Sequence, residues 1–257
     1  MKSRTIIVVS LLVMLMMACS LTTNTGGTPS NQGPVADEKT TPDPVPVSFN
    51  EGLASLNSYA MTVLFSSVGP DPTQSSTTSI QRQRSNDTNA SSTSINMIVI
   101  SAGGGDPAIT DTTTYQIGND QCSGSDTDGW SWTSSTPAEA EMQGLIAGMI
   151  GLTPLFDKPV FVAAETVIGI PTNHFTFQVS GLGASSGAVV NINQGDYWLA
   201  VDGQYIVKYT LIVEISMAAD TEVLHQEISI DMNQINQPVS IAFPQGCLDA
   251  SQVTPEP

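Results

Sequence analysis

The sequence predicts an α+β protein whose main element is one large, curved antiparallel sheet of about nine to eleven strands, with helices covering its concave face. Segments of alternating apolar and polar residues recur through residues 48–247, and Gly, Pro, Asp and Asn separate them. The longest segment keeps every second residue apolar from Tyr205 to Met217, whereas the residues between are mostly polar. A sheet with one apolar face and one solvent-exposed face is antiparallel, and other elements must pack on its apolar face. A plain β-sandwich is the alternative architecture.

The predicted elements begin with a short helix. Ser48 and Glu51 form a capping-box pattern, and Leu53 and Leu56 give the helix an apolar face. Strands with period-two alternation then follow and are joined as hairpins. They are predicted at 59–68, 76–85, 93–101 and 110–118, with residues 129–132 on or beside a fifth strand.

The period changes to that of a helix near residues 137–150. Thr136 is suited to cap this helix and Pro137 to open it. Four apolar residues then recur at helical spacing and predict a face that packs on the sheet. They are Met142, Leu145, Ile146 and Met149. The chain afterwards returns to strands, predicted at 159–169, 172–181, 195–202, 204–217, 222–232 and 238–243.

The N-terminus has the pattern of an export signal. Lys2 and Arg4 precede an apolar run from Ile6 to Ala18, which is too short to span a bilayer as a mature helix. The residues before Cys19 resemble the lipobox of bacterial lipoprotein signal peptides, which predicts that Cys19 becomes the lipidated N-terminus. The alternatives are an ordinary signal peptide with a chance cysteine and an N-terminal anchor helix.

The predicted organisation therefore has four parts. Residues 1–18 are the signal peptide, and residues 19–47 are the lipidated cysteine with a flexible tether rich in Thr, Pro and Gly. Residues 48–247 form a single domain, and residues 248–257 form a disordered tail. The protein is expected to be an exported monomer that its lipid anchor holds on the outer face of the cell membrane or on another envelope membrane.

The cysteine count leaves one pair after lipidation. Cys122 and Cys247 would lie in an oxidising compartment, where such a pair tends to form a disulfide, although two free buried thiols are the alternative. The two histidines, His174 and His225, are isolated in the sequence. Neither the cysteines nor the histidines have the spacing of metal ligands, so no metal site is predicted.

The charge balance excludes some partners. Removal of Lys2 and Arg4 leaves 5 basic residues against 24 acidic ones, a net charge of 5 − 24 = −19. Nucleic acid is not expected as a partner, because its binding requires clustered Lys and Arg. The same balance argues against electrostatic attachment to anionic lipid surfaces, so the lipid anchor alone must attach the protein to the membrane.

The sequence indicates neither an enzyme nor a cofactor site. No G-x-S-x-G motif accompanies His174 or His225, so both are interpreted as surface histidines on strands. Asp126 and Asp128 resemble the start of a calcium loop, but the distal glutamate is missing, which favours a simple turn at Gly129.

Three stretches of the chain resemble a known family. They are the turn at 169–171, the "WLAVDG" hairpin at 198–203 and the "NQPVSIAFP" ending at 236–244. Together with the lipobox and the tether, they resemble the LolA-like half-barrel lipoproteins, in particular the LppX/LprG type. The resemblance covers about residues 49–244. It implies an antiparallel half-barrel with helices in its mouth, which holds acyl chains such as palmitate in an apolar cavity and carries or presents lipid between membrane layers.

The predicted function is therefore that of a membrane-anchored, non-enzymatic lipoprotein that binds an acylated lipid. Acyl chains would lie between the apolar face of the sheet and the helix near 137–150. Besides the four helix residues named above, the predicted lining is Phe175, Phe177, Tyr209, Leu211, Val213 and Ile215. The alternative is a surface lipoprotein that acts as a protein-interaction or envelope-assembly module without a lipid ligand. The sequence identifies no protein partner.

Overall fold

A computed structural model describes residues 49–69, 71, 73–101, 105–133, 156–179, 188–217 and 223–250. These residues form two helices, α1 (Phe49–Ala54) and α2 (Gln245–Ala250), and eleven strands. The strands are β1 (Ser58–Val68), β2 (Ser75–Ser85), β3 (Ala90–Ile100), β4 (Ala108–Ile117), β5 (Asp120–Ser125), β6 (Gly129–Thr133), β7 (Phe156–Val167), β8 (Ile170–Val179), β9 (Ala188–Ala200), β10 (Ile206–Met217) and β11 (Val223–Ile235).

All eleven strands belong to one open antiparallel sheet in the order β6-β5-β4-β3-β2-β1-β11-β10-β9-β8-β7. Strands β1 to β6 form one meander and β7 to β11 form another. Pairing of β1 with β11 joins the two meanders, so the first and last strands of the chain lie at the centre. The predicted antiparallel sheet and its strand number are confirmed. The helix predicted near 137–150 lies outside the described residues. The prediction that it covers the concave face of the sheet therefore stays a prediction.

The two faces of the sheet differ as the alternation predicts. One face, here called the core face, carries the buried apolar side chains, and the opposite face is called the outer face. On β10 the core face receives Val207, Tyr209, Leu211 and Val213, each no more than 5% exposed. Lys208, Thr210 and Glu214 alternate with them and lie on the outer face. Strand β10 therefore follows its sequence pattern.

The prediction of a strand at 238–243 is wrong. Strand β11 already has β1 on one side and β10 on the other, so the chain that follows it has no unpaired neighbouring strand. Asn236 takes a positive φ of 52° and turns the chain out of the sheet, while its Oδ1 accepts a hydrogen bond of 2.8 Å from the Asn57 backbone N–H. Residues 236–244 then cross from β11 to the edge at β6. Gln237 still lies beside β1, where the Ser58 hydroxyl donates a hydrogen bond to its carbonyl, and Phe243 reaches Trp132 of β6.

The C-terminal segment is fixed where it arrives. Cys247 forms a disulfide with Cys122 of β5, and both residues are fully buried. The Trp132 indole N–H donates to the Cys247 carbonyl, and the Trp132 ring lies 4.6 Å from the Phe243 ring. Helix α2 thus packs against β6 and extends to Ala250, past the domain end predicted at 247. The cysteine count predicted this disulfide, whereas the packing of α2 on the sheet was not predicted.

Candidate functional site

The core face carries a continuous apolar row across six neighbouring strands. Each residue of the row lies directly opposite the next in the strand register, and each is 1% exposed or less apart from Tyr209 at 2%. From β8 to β2 the row is Phe175, Tyr197, Tyr209, Ile230, Val63 and Ile80. Such cross-strand pairs stabilise a sheet and bring neighbouring side chains to about 5 Å. The face is therefore one connected apolar surface.

Aromatic rings dominate one end of this surface. The Phe175 and Tyr197 rings stack at 5.0 Å, and the Phe177 ring lies 5.8 Å from Tyr197 and 5.5 Å from Tyr209. Gly195 lies opposite Phe177, and a Cβ at that position would overlap the Phe177 ring. The glycine is thus what allows the ring to lie flat on the strand. Burial raises the pKa of the Tyr209 phenol well above its usual value, so that this side chain remains neutral.

The strand residues predicted to line a ligand cavity all belong to this surface. Phe175, Phe177, Tyr209, Leu211 and Val213 are buried in the core, and Ile215 is partly buried against it. Met142, Leu145, Ile146 and Met149 lie outside the described residues, as does Cys19. The prediction missed the contribution of β1 and β11, although both strands alternate visibly in the sequence. Their buried residues on this face are Met61, Val63, Phe65, Ile228, Ile230 and Met232.

The described helices cover only part of the core face. Helix α1 adds Leu53, and Leu56 follows it into the core. The helix has six residues, so it is about 9 Å long. The six strands that carry the apolar row are together about 24 Å wide at the usual strand spacing. Among the described residues, the apolar face is therefore larger than the helix placed on it.

The outer face carries a cluster of polar and aromatic side chains around His174. The His174 Nδ1 lies 3.1 Å from Glu165 Oε1, and its Nε2 lies 3.0 Å from Asp196 Oδ1. The imidazole stacks on the Trp198 indole at 4.2 Å, and Lys208 Nζ lies 5.2 Å from the Trp198 ring centre. The Trp198 indole N–H donates to Glu165 at 3.0 Å. Both ring nitrogens of His174 thus contact carboxylates, which is typical of a cluster that stabilises the protein surface.

Replacement of Glu165 by Gln is expected to cost more stability at neutral pH than in acid. Hydrogen bonds from Trp198 and then from His174 lower the Glu165 pKa below its usual value. A carboxylate with a lowered folded pKa stabilises the protein above its unfolded pKa, and this contribution disappears as the pH falls through the folded pKa. The difference in melting temperature between wild type and Glu165→Gln should therefore shrink from about pH 6 to about pH 3.

Thermal unfolding at a series of pH values measures this difference. Glu227→Gln, which removes an exposed carboxylate from the same outer face, controls for the general change in charge. A difference between wild type and Glu165→Gln that grows towards acid would contradict the expected contribution.

Two further sequence motifs are local structures. His225 Nδ1 lies 3.1 Å from Glu214 Oε1 on the neighbouring strand. Asp126 and Asp128 lie in the turn between β5 and β6, where Ser125 Oγ donates to Asp128 at 3.1 Å and the Trp130 indole N–H donates to Asp126 at 3.2 Å. Within the described ranges, no three His, Cys, Asp or Glu residues are placed to hold a metal ion. In the same ranges, no helix has the length and apolar character needed to cross a membrane.

Comparison with solved structures finds similarity to two mycobacterial lipoproteins. LppX of Mycobacterium tuberculosis matches with 14% identity and a TM-score of 0.37, over 76% of this chain and 94% of that one. LprF of Mycobacterium bovis matches with 13% identity and a TM-score of 0.37, over 76% of this chain and 93% of that one.

These proteins are of the type that the sequence motifs resemble, so the predicted resemblance is confirmed. No family model matches the sequence, and the comparison with curated proteins found no relative. At this identity and TM-score the likeness implies nothing about ligand or activity.

Proposed function

We propose that this protein is an exported, non-enzymatic lipoprotein that binds an acylated lipid on the core face of its sheet and carries or presents it in the cell envelope. Cys19 is the proposed lipidation site that anchors it to an envelope membrane. One observation carries the proposal: the apolar surface across six strands is wider than the described helix that packs on it. The central row of this surface is nevertheless 2% exposed or less, and burial of apolar surface is favourable by about 25 cal/mol per Å². The surface therefore requires a cover.

An acyl chain together with residues 137–150 supplies that cover in the proposal. The helix predicted there presents Met142, Leu145, Ile146 and Met149 at one face. Methionine side chains adapt to ligands of different shape because they are unbranched and flexible. Acyl chains would lie between this face and the row from Phe175 to Val63.

The outer-face histidines support a non-enzymatic function. A general base needs a ring nitrogen available to the proton that it removes. Both nitrogens of His174 face carboxylate oxygens, and His225 faces Glu214. These contacts are the pattern of hydrogen-bonded surface residues rather than of a nucleophile with its base.

A protein-interaction module is the second candidate, and one observation favours it. Strand β7 forms an edge of the sheet, and its Val160 and Val162 are 58% and 51% exposed. Apolar side chains on an edge strand suit the addition of a partner strand.

Native mass spectrometry of the exported protein, purified in mild detergent, tests the proposal. We expect a co-purifying mass of several hundred daltons or more that solvent extraction releases as acylated lipid. Leu211→Trp, which adds bulk to the core face, should reduce the bound fraction several-fold, because little free volume remains in a packed apolar site.

Thr210→Trp is the matched control, since it adds the same side chain to the outer face at the preceding position. It should leave the bound fraction unchanged, and thermal unfolding shows whether both variants are folded. A wild-type protein that carries no lipid and takes up no added fluorescent lipid would contradict the proposal and favour the interaction module.

A further inference from the structure

Exposed apolar side chains meet at one end of the sheet, where the turn between β7 and β8 lies beside the turn between β9 and β10. Ile168 is 54% exposed and Val201 is 52% exposed, and Pro171, in the same hairpin as Ile168, is also exposed. The Val201 backbone N–H donates a hydrogen bond of 3.0 Å to the Pro171 carbonyl, which holds the two turns side by side. These three residues are here called the apolar tip.

Ile168 has a backbone conformation that is unfavourable for its side chain. Its φ is 45° and that of Gly169 is 82°, so both residues of this two-residue turn lie in the left-handed region. Such turns favour Asn, Asp or Gly, and a β-branched residue with positive φ is an outlier. In the described part of the chain, the other non-glycine residues with positive φ are polar: Asn89, Gln204 and Asn236. Ile168 is thus strained and gains little from burial, which points to a function of its side chain.

The folded domain begins at the same end of the sheet. A Cβ added to Gly52 of α1 would lie 2.9 Å from the Gln204 carbonyl oxygen, so α1 packs directly on the turn between β9 and β10. Cys19 precedes Phe49, the first residue of α1, by 30 positions (49 − 19 = 30). A flexible tether, as predicted for residues 19–47, has a root-mean-square length of about 30 Å. In an anchored protein the tether therefore leads from the membrane to this end of the sheet.

The charges near the apolar tip favour an uncharged surface as its partner. Asp202 directly follows Val201 and is exposed, and Glu165 lies on β7 close to the same hairpin turn. The sequence has no lysine or arginine between residues 159 and 207. Such a surface does not attract anionic lipid head groups. Exposed apolar side chains can nevertheless enter the boundary between head groups and acyl chains, because this buries their apolar area.

We propose that the apolar tip inserts into the surface of the bilayer to which Cys19 anchors the protein, and that it thereby orients the domain on the membrane. The inference rests on the proposed lipidation of Cys19 and does not depend on lipid binding at the core face. A few apolar side chains alone give only a weak membrane contact. The anchor raises their effective concentration at the bilayer, so that a weak contact is sufficient. The opposite end of the sheet, where β4 begins, would then face away from this membrane.

Quenching of tryptophan fluorescence by brominated lipid tests this orientation. The full chain, expressed with its own export signal and purified as a lipoprotein, is reconstituted into vesicles of phosphatidylcholine with dibrominated phosphatidylcholine. The three native tryptophans give a background that wild type measures. Ile109→Trp is the matched control, since Ile109 is 65% exposed and lies near the start of β4 at the opposite end. The added fluorescence of Ile168→Trp and of Val201→Trp should be quenched at least about threefold more strongly than that of the control, because only the tip lies within the bilayer.

Ile168→Asn separates a membrane contact from a structural role. Asn adopts the left-handed conformation more readily than Ile, so the variant in detergent should unfold about 2 to 4 °C above wild type. The same change in the Val201→Trp protein should reduce the quenching by at least about half, because the tip loses its largest apolar side chain. Ile109→Asn removes an exposed apolar side chain from the opposite end and should leave that quenching unchanged. A melting temperature below that of wild type, with quenching unchanged, would mean that Ile168 serves stability and would overturn the inference.

The remaining outcomes distinguish this inference from the proposed function. If mass spectrometry finds no lipid on Cys19, the proposed anchor is wrong, and the inference is wrong with it. If the protein is lipidated but Ile168→Trp and Val201→Trp are quenched no more than Ile109→Trp, the anchor stands and the orientation is wrong. If Ile168→Asn changes the oligomeric state in detergent and leaves the quenching unchanged, the apolar tip is an interface between two copies of the protein rather than a membrane contact.

Discussion

Replacement of both Cys122 and Cys247 by alanine is expected to lower the free energy of unfolding by about 2 to 5 kcal/mol. The disulfide joins residues separated by 125 positions, and a loop of that length gives about 5 kcal/mol in the chain-entropy model. The bond also holds α2 against β6 at the edge of the sheet, where α2 and the neighbouring strand β5 are the main contacts of β6 among the described residues. Its loss should therefore act most strongly on β5, β6 and residues 243–250.

Urea denaturation followed by tryptophan fluorescence measures this loss. Amide hydrogen exchange should show faster opening of β5, β6 and α2 than of β10, because sub-global opening begins where packing is least extensive. Wild type that is unfolded in reductant and refolded should match the double variant, whose stability should not depend on reductant. A decrease below about 1 kcal/mol would mean that the packing of Trp132 on Phe243 already fixes the C-terminal segment.

Phe175→Ala is expected to cost about 3 to 5 kcal/mol. Phe175 is 0% exposed, and its ring lies 5.0 Å from the Tyr197 ring and 5.7 Å from the Phe161 ring. Its removal leaves a cavity at the aromatic end of the apolar row, and neighbours that belong to strands collapse into such a cavity only in part.

His174→Ala is the matched control, since it changes the adjacent residue on the opposite face of the same strand. That side chain is 15% exposed and contacts carboxylates and Trp198 at the surface, so its loss should cost less than about 1 kcal/mol. Equilibrium unfolding of both variants measures the difference. Equal costs for the two substitutions would contradict the assignment of β8 to one buried and one solvated face.

Much of the core could be predicted because it depends on local alternation. The pattern "NHFTFQV" placed Phe175 and Phe177 on one face and His174 on the other, and the structure agrees. The apolar residues of β10 were recognised in the same way. Alternation was visible in β1 and β11 as well, but it does not reveal that these strands share one surface with β8 and β10.

Other features had no local signal. Strand β5, "DQCSGS", is polar and short, and its buried residues owe their burial to the disulfide and to neighbouring strands. The His174 cluster assembles residues from β7, β8, β9 and β10, which only the strand register brings together. The prediction of a strand at 238–243 was wrong for the opposite reason. The segment does alternate, but both edges of β11 are already paired, with β1 and with β10.

The sequence by itself determined most of the segments that form strands and which side of those strands is apolar, because these properties follow from the order of residues along a few positions. It also gave the positions of the three cysteines and the excess of acidic residues. The tertiary structure decided which strands are neighbours, that β1 pairs with β11, and that Arg82 faces Thr93 beside the apolar row. Apolar residues at every second position show which face of a strand is buried, but they do not show which strand pairs with it. The partner is selected by burial of apolar surface between segments that lie far apart in the chain.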